Sequence, residues 1–195
     1  MSRDEEQAGR RRLLGAALAF PFVSIRAASA QSLPLTASCG ENPSPTPAQT
    51  PGPFYTPDSP RRSSLIEQGS GAERLVLAGF VLSPQCKPVA NALLDFWHCD
   101  ERGDYDNRGF RYRGHLHADA QGRYRLETIM PGEYPGRTRH IHVKVQAPGG
   151  RVLTTQLYFP NEPRNRSDWI YRPELTMSVA RARGGRDARF DFVVV

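Results

Sequence analysis

The sequence predicts an all-β fold, a β-sandwich with long irregular loops and an extended N-terminal arm. Three observations predict it. Gly and Pro number 17 each in 195 residues, a composition rich in turns and poor in long helices. About eight short runs carry the alternation or apolar density of strands. Turn signals separate those runs, and no internal repeat suggests a solenoid or propeller. Charged residues at 24% and hydrophobic residues at 38% are ordinary for a soluble chain, and the length suits one domain with a real core.

Residues 1–30 read as an export signal. Arg10, Arg11 and Arg12 precede the apolar run Leu13–Phe20, and Ala28-Ser29-Ala30 offers a small-residue cleavage site. Arg10-Arg11-x-Leu13-Leu14 has the form of a twin-arginine signal, so a periplasmic or secreted location is expected. The apolar run is too short to span a bilayer and is broken by Pro21, so no membrane anchor is expected after cleavage. Residues 31–53, with prolines at 34, 43, 45, 47, 51 and 53, read as an extended arm. Phe54 and Tyr55 end the arm as docking aromatics, with Tyr55 also a candidate to line a site.

Residues 54–195 then hold the sandwich. Leu75–Leu82 and Val89–His98 are predicted strands around the turn Ser83–Pro88. Leu94, Phe96 and His98 share one face, and Leu93, Asp95 and Trp97 the other. Cys99–Arg113 is a polar loop containing Tyr105. His115–Ala118 and Tyr124–Thr128 flank Asp119-Ala-Gln-Gly122 and read as a hairpin. Ile141–Gln146 and Leu153–Phe159 pair across Pro148-Gly-Gly150. Residues 161–171 are polar and irregular. Leu175–Arg183 and Ala188–Val195 form a last hairpin through Gly184-Gly185.

The net charge is +6; taking away the five basic and three acidic residues of 1–30 leaves +4. That balance admits anionic substrates, and no basic run with interleaved aromatics suggests nucleic acid. Cys39, Cys86 and Cys99 allow one disulfide and one free thiol in an oxidising compartment, with three pairings open.

The chemistry concentrates in Met130–Val145, MPGEYPGRTRHIHVKV. Alternation puts His140 and His142 on one face of a strand and Ile141, Val143 and Val145 on the other. Two imidazoles so spaced can reach one metal ion, and imidazole suits zinc, copper, iron and nickel. The competing reading is a half-exposed strand with polar outward residues. A second H-x-H pair, His115 and His117, makes a four-histidine copper or zinc site thinkable. Its place at a tight turn favours surface residues instead. The first pair has Tyr134 six residues upstream, Arg137 beside it, and Tyr105 in a distant loop. Phenolate is a hard anionic ligand that only a strong Lewis acid holds ionised at neutral pH.

These blocks, in order, carry a specific resemblance: Thr50-Pro-Gly-Pro-Phe-Tyr55, Leu94-Asp-Phe-Trp-His98, Gly103-Asp-Tyr105, Asp119-Ala-Gln-Gly-Arg-Tyr124, Thr128-Ile-Met-Pro-Gly-Glu-Tyr-Pro135, Arg137-Thr-Arg-His-Ile-His142 and Leu153-Thr-Thr-Gln-Leu-Tyr-Phe159. From Thr50 to the C-terminus the chain resembles the intradiol ring-cleavage dioxygenases, the group that includes protocatechuate 3,4-dioxygenase subunits. The resemblance implies a non-haem Fe(3+) bound by Tyr105, Tyr134, His140 and His142. It implies that a catechol-type substrate is opened with O2 to a cis,cis-muconate-type diacid. Tyr134 would take up a proton on leaving the metal. Arg137 would stabilise developing negative charge, and Gln156 would orient Arg137 or a ligand. Pro51 stands where the family often has glutamate. Gly136 stands where protocatechuate enzymes tend to carry a bulky aromatic, which argues against protocatechuate itself.

Two other classes compete. A prealbumin-like β-sandwich used only for binding needs none of the four ligands. A periplasmic copper- or zinc-binding module would use both H-x-H pairs. Catechol, hydroxyquinol, a substituted catechol and a lignin-derived aromatic are all open as substrate, as is a homo-oligomeric state.

Overall fold

Alternating burial is what makes the first strand a strand: in β1 (Arg74–Leu82), Leu75, Leu77, Gly79 and Val81 are buried and Val76, Ala78 and Phe80 between them are less so. The computed structural model describes residues 44–195 and carries this pattern through nine strands. They continue as β2 (Leu93–Trp97), β3 (Arg113–His117), β4 (Arg123–Ile129), β5 (His140–Gln146), β6 (Val152–Tyr158), β7 (Ser178–Ala182), β8 (Gly185–Arg189) and β9 (Phe192–Val193). The expected export signal at 1–30, the first part of the expected arm and Cys39 lie outside the described residues.

The strands form two sheets. One runs β4-β1-β8-β7 with β9 also on β1; the other runs β3-β2-β5-β6. Their facing sides make one core, in which Leu75, Leu77 and Leu126 of the first sheet share a cluster with Leu94, Phe96, Ile141, Val143, Val145 and Leu157 of the second. That is a β-sandwich, as the composition and strand spacing predict.

Two expected details differ. The run 89–98 is shorter than predicted, because Asn91 sits in the left-handed region at φ 56 and ends the alternation before Leu93. The predicted hairpin across Asp119–Gly122 is a turn but not a hairpin. The Asp119 carboxylate accepts the Gln121 and Arg123 amides, so the turn forms as its residues dictate. Yet β3 pairs with β2, and β4 pairs along its whole length with β1. The turn carries the chain from one sheet to the other, which lets β3 and β4 bury apolar residues from opposite sides of the same core.

The described part of the arm is irregular but held. Thr46 donates its amide to the Val193 carbonyl and accepts the Val193 amide on its hydroxyl. Further along, the Gln49 amide donates to Thr154 on β6, and the Pro47 carbonyl accepts the Thr155 hydroxyl. Cys86 is disulfide-bonded and Cys99 is a buried free thiol.

At Gly79 in β1 the chain after β8 crosses so closely that an added Cβ would lie 1.8 Å from the Phe190 carbonyl oxygen. Gly79→Ala is expected to cost about 3 kcal/mol or more through overpacking against backbone, read as a lowered midpoint in urea unfolding at unchanged slope.

Candidate metal centre

β5 lies in the middle of its sheet, with β2 on one side and β6 on the other. Ile141, Val143 and Val145 face the core, so His140 and His142 emerge together on the opposite face, each 3% exposed. Their surroundings fix both rings. The His140 Nδ1–H donates to the Thr138 carbonyl at 2.6 Å. That assigns the tautomer, because a carbonyl cannot donate, and it leaves Nε2 as a lone pair. His142 stacks on Trp97, its cross-strand partner, with centroids 4.8 Å apart and planes 6° from parallel. The two Nε2 atoms are 3.1 Å apart.

Burial holds both imidazoles neutral. It pushes His140 down to about 4, with the Arg137 charge adding to the effect. It pushes His142 well below the ordinary histidine range, with His140 next in importance. Neutral imidazole is the metal-binding form.

Two loops bring the phenols. After β2 the Asp100 carboxylate accepts the amides of Arg102 and Asp104, and the Asp100 carbonyl accepts the Gly132 amide. This ties the Tyr105 loop to the Tyr134 loop. Gly103, at φ +94, lies where a Cβ would sit 2.3 Å from the Glu133 carbonyl oxygen, so only glycine permits the approach. The Tyr105 and Tyr134 rings then meet edge to face at 6.0 Å. Phe54 of the arm stacks on Tyr105 at 4.4 Å and meets Tyr134 edge-on at 5.2 Å. The Tyr105 hydroxyl is 3.4 Å from His140 Nε2. Burial raises its pKa far above the ordinary phenol value.

Among the described residues no three His, Cys, Asp or Glu side chains cluster as a metal site. The donor set here is of another kind, two imidazoles and a phenol oxygen. Ligands each about 2.1 Å from a metal and at right angles to one another are about 3 Å apart. The spacings of 3.1 and 3.4 Å fit that requirement. A trivalent cation would also hold the phenol oxygen ionised against the desolvation that otherwise keeps it protonated.

Arg137 is anchored from two sides. Its Nε donates to Asp168 at 2.9 Å and its Nη2 to Gln156 at 2.6 Å. Gln156 is fully buried and donates its own amide to the Thr50 carbonyl of the arm. Its side chain thus lies between Arg137 and the arm, shut off from solvent. Trp97 and Tyr55 belong to the site's wall: Tyr55 meets Trp97 edge-on at 4.8 Å and donates its hydroxyl to Asp95.

His115 and His117 do not join this cluster. They lie on β3, with β2 between them and β5, and His115 faces Asp95 rather than Trp97. His115 Nδ1 is bonded to the Ser59 carbonyl at 2.7 Å. They are half-buried under the chain at 59–61 rather than exposed at a hairpin tip.

Two residues were not singled out from the sequence. Asp168 comes from the irregular stretch after β6 and takes both Arg137 Nε and the Thr138 amide. Arg113 opens β3, is 1% exposed, and bonds to the Asp106 carbonyl beside Tyr105. Spacing marks neither. Only the alternation that puts Arg113 on the face of His115 was there to be read.

Comparison with known proteins bears on this geometry. Residues 50–194 match the family model for dioxygenases. A catechol 1,2-dioxygenase from Candida albicans is 30% identical over 148 residues, 62% of this chain and 49% of that protein. A protocatechuate 3,4-dioxygenase beta chain from Burkholderia cepacia is 36% identical over 118 residues, 51% of this chain and 50% of that one. The chain thus spans about half the length of these curated relatives. Among solved structures, the dioxygenase domain of a dioxygenase–carbohydrate-binding protein fusion from the cellulolytic bacterium Streptomyces sp. SirexAA-E is similar with TM-score 0.76 and 53% identity. The match covers 77% of this chain and 98% of that one.

The buried histidines give the metal-free protein a defined acid response. His98, fully buried between the Cys99 carbonyl and the Thr128 hydroxyl, is lowered by burial to about 4, as His140 is. The unfolded chain takes up protons near pH 6.5 that the folded chain refuses until about pH 4. Stability is therefore complete above pH 6.5 and declines as pH falls toward 4. The loss attributable to His98 alone is on the order of 3 kcal/mol, measurable as urea midpoints across that range.

Proposed function

The chain belongs to the intradiol ring-cleavage dioxygenase family, and on that premise we propose that it is a non-haem ferric enzyme. It opens a catechol-type ring between the hydroxyl-bearing carbons, incorporating both atoms of O2, to a cis,cis-muconate-type diacid. The single observation that carries the reading is the meeting of two neutral imidazoles and a phenol oxygen within 3.4 Å on one face of β5, beside an anchored arginine.

His140, His142, Tyr105 and Tyr134 would hold the ion. When bound, Fe(3+) supplies Lewis acidity toward an ortho-diol and the electronic coupling that makes the diol's ring reactive toward O2. The remaining work falls to the protein. Tyr134 accepts a proton at its phenol oxygen as the diol gives one up. Arg137, its Nε and Nη2 already committed to Asp168 and Gln156, holds a fixed positive charge where negative charge develops on the substrate. Phe54, Trp97 and the arm from Thr50 to Tyr55 wall the site and limit water. Curated relatives act on catechol, chlorocatechol and hydroxyquinol, and a simple or ring-substituted catechol is the class proposed here. Export by the segment 1–30, after folding, is part of the same proposal, since the twin-arginine route suits a chain that acquires its metal first.

The iron-loaded protein is expected to show a broad visible band from phenolate-to-iron charge transfer and to take up O2 with catechols, releasing a ring-opened diacid. A colourless, iron-free active preparation would end the reading. Arg137→Ala is expected to lower kcat/KM by roughly 10²–10³ while leaving the visible band in place, as measured by oxygen uptake. Asp168→Asn removes the anionic anchor but leaves Arg137 present, and is expected to reduce kcat/KM by a smaller factor of about 10–100.

A further inference from the structure

Tyr158 ends β6, is fully buried, and stands opposite His140 in the ladder. Its hydroxyl lies among three oxygens: Gln49 Oε1 at 2.8 Å, the Ile170 carbonyl at 3.2 Å and Gln156 Oε1 at 3.3 Å. A hydroxyl has one hydrogen to give, so its neighbours decide where that hydrogen goes.

Those neighbours are fixed in turn. A guanidinium only donates and a backbone carbonyl only accepts. Gln156 must therefore turn its Oε1 to Arg137 Nη2, at 2.6 Å, and its Nε2 to the Thr50 carbonyl, at 2.9 Å. Gln49 must turn its Nε2 to the Ile170 carbonyl, at 2.5 Å, which leaves its Oε1 for the Tyr158 hydroxyl. The Tyr158 hydrogen, given mainly to Gln49 and shared with the more distant Gln156 oxygen, joins the two amides.

The result is a closed ring of contacts around the arginine. Asp168 grips Arg137 Nε directly, and two residues on, the Ile170 carbonyl holds Gln49. Gln49 and Thr50 are neighbours in the arm, so whatever loosens the Gln49 side chain also moves the carbonyl on which Gln156 leans. Buried hydrogen bonds linked in this way reinforce one another, and the loss of one member leaves others unpaired.

We propose that Tyr158 and Gln49 are positioning residues for Arg137: the phenol hydroxyl and the arm amide lock the Gln156 side chain, and through it the guanidinium, in the orientation in which its charge meets the substrate. The role of Arg137 itself rests on the dioxygenase reading given above. The addition is that the arm takes part in the reaction, through a side chain bonded to β6 and to the 168–170 loop, and is more than a cover over the site.

The test uses Tyr158→Phe, which removes the hydroxyl and keeps the ring, and Gln49→Ala. Each is made in the full chain and again together with Arg137→Ala. Oxygen uptake with catechol gives kcat and KM for the iron-loaded proteins. Hydrogen exchange at Arg137 Nε, followed by 15N NMR, is read on the metal-free proteins. Each variant is expected to lower kcat roughly 10-fold and to speed exchange at Arg137 Nε several-fold. KM is expected to change by less than about two-fold. Neither variant is expected to lower kcat further once Arg137 is alanine, because both act through it.

Losses that multiply with that of Arg137→Ala overturn the proposal. So does a lowered Tm with kcat and Arg137 exchange unchanged, which makes Tyr158 a packing residue. If Tyr158→Phe does not fold, Gln49→Ala, altered in the half-buried arm, carries the test by the same criteria. If the unaltered iron-loaded protein takes up no O2 with catechols, the dioxygenase reading falls by itself. Exchange at Arg137 Nε still decides the clamp in that case: faster exchange in the metal-free variants supports it, and unchanged exchange overturns it.

Discussion

Everything at the site depends on the register of β5. Its seven residues present apolar side chains to the core at 141, 143 and 145, and those contacts permit one phase of alternation only. A slip of one residue would put imidazoles into the hydrocarbon core and isoleucine and valine into the site. The packing between sheets, which knows nothing of metals, is therefore what aims His140 and His142 at a common point. β2 and β6 then extend the same row: Trp97 stands opposite His142 on one side and Gln156 on the other. A stacking wall and an arginine anchor come from the same ladder that holds the two histidines.

Burial sets the chemistry of that row. The same desolvation that lowers the two histidines raises the Tyr105 hydroxyl, so without a cation the cluster is neutral and closely hydrogen-bonded. The nearby charges include Arg137, paired with Asp168, and the buried Arg113, whose guanidinium holds the Asp106 carbonyl.

Much of this could be read in the chain. The H-x-H alternation, the P-G-x-Y-P turn and the order of the blocks pointed to the fold class and to His140, His142, Tyr105 and Tyr134, which the fold brings together, because those features are local and ordered. What was missed depends on contacts between distant segments. Asp119–Gly122 announces a turn, but a turn does not say which strands it joins. Asp168 lies 31 positions beyond the arginine it anchors, in a stretch with no periodicity. Arg113 sits where an edge-strand arginine would ordinarily reach solvent. Only the loop from Cys99, folded back over it, makes it interior. Alternation placed Trp97 on the face of Leu93 and Asp95, and nothing in its own strand told that its flat face lies on the His142 ring.

The arm has a consequence beyond the pocket it roofs. β6 is the last strand of its sheet, and a free last strand offers unpaired amides and carbonyls to any neighbour. Gln49 takes up the Thr154 carbonyl of that row, and the Pro47 carbonyl accepts the Thr155 hydroxyl beside it. The short proline-rich stretch thus acts as a guard rail against strand-to-strand association. A molecule stripped of it by proteolysis would bare that β6 edge and, with Phe54 gone, the Tyr105 and Tyr134 rings at the same time.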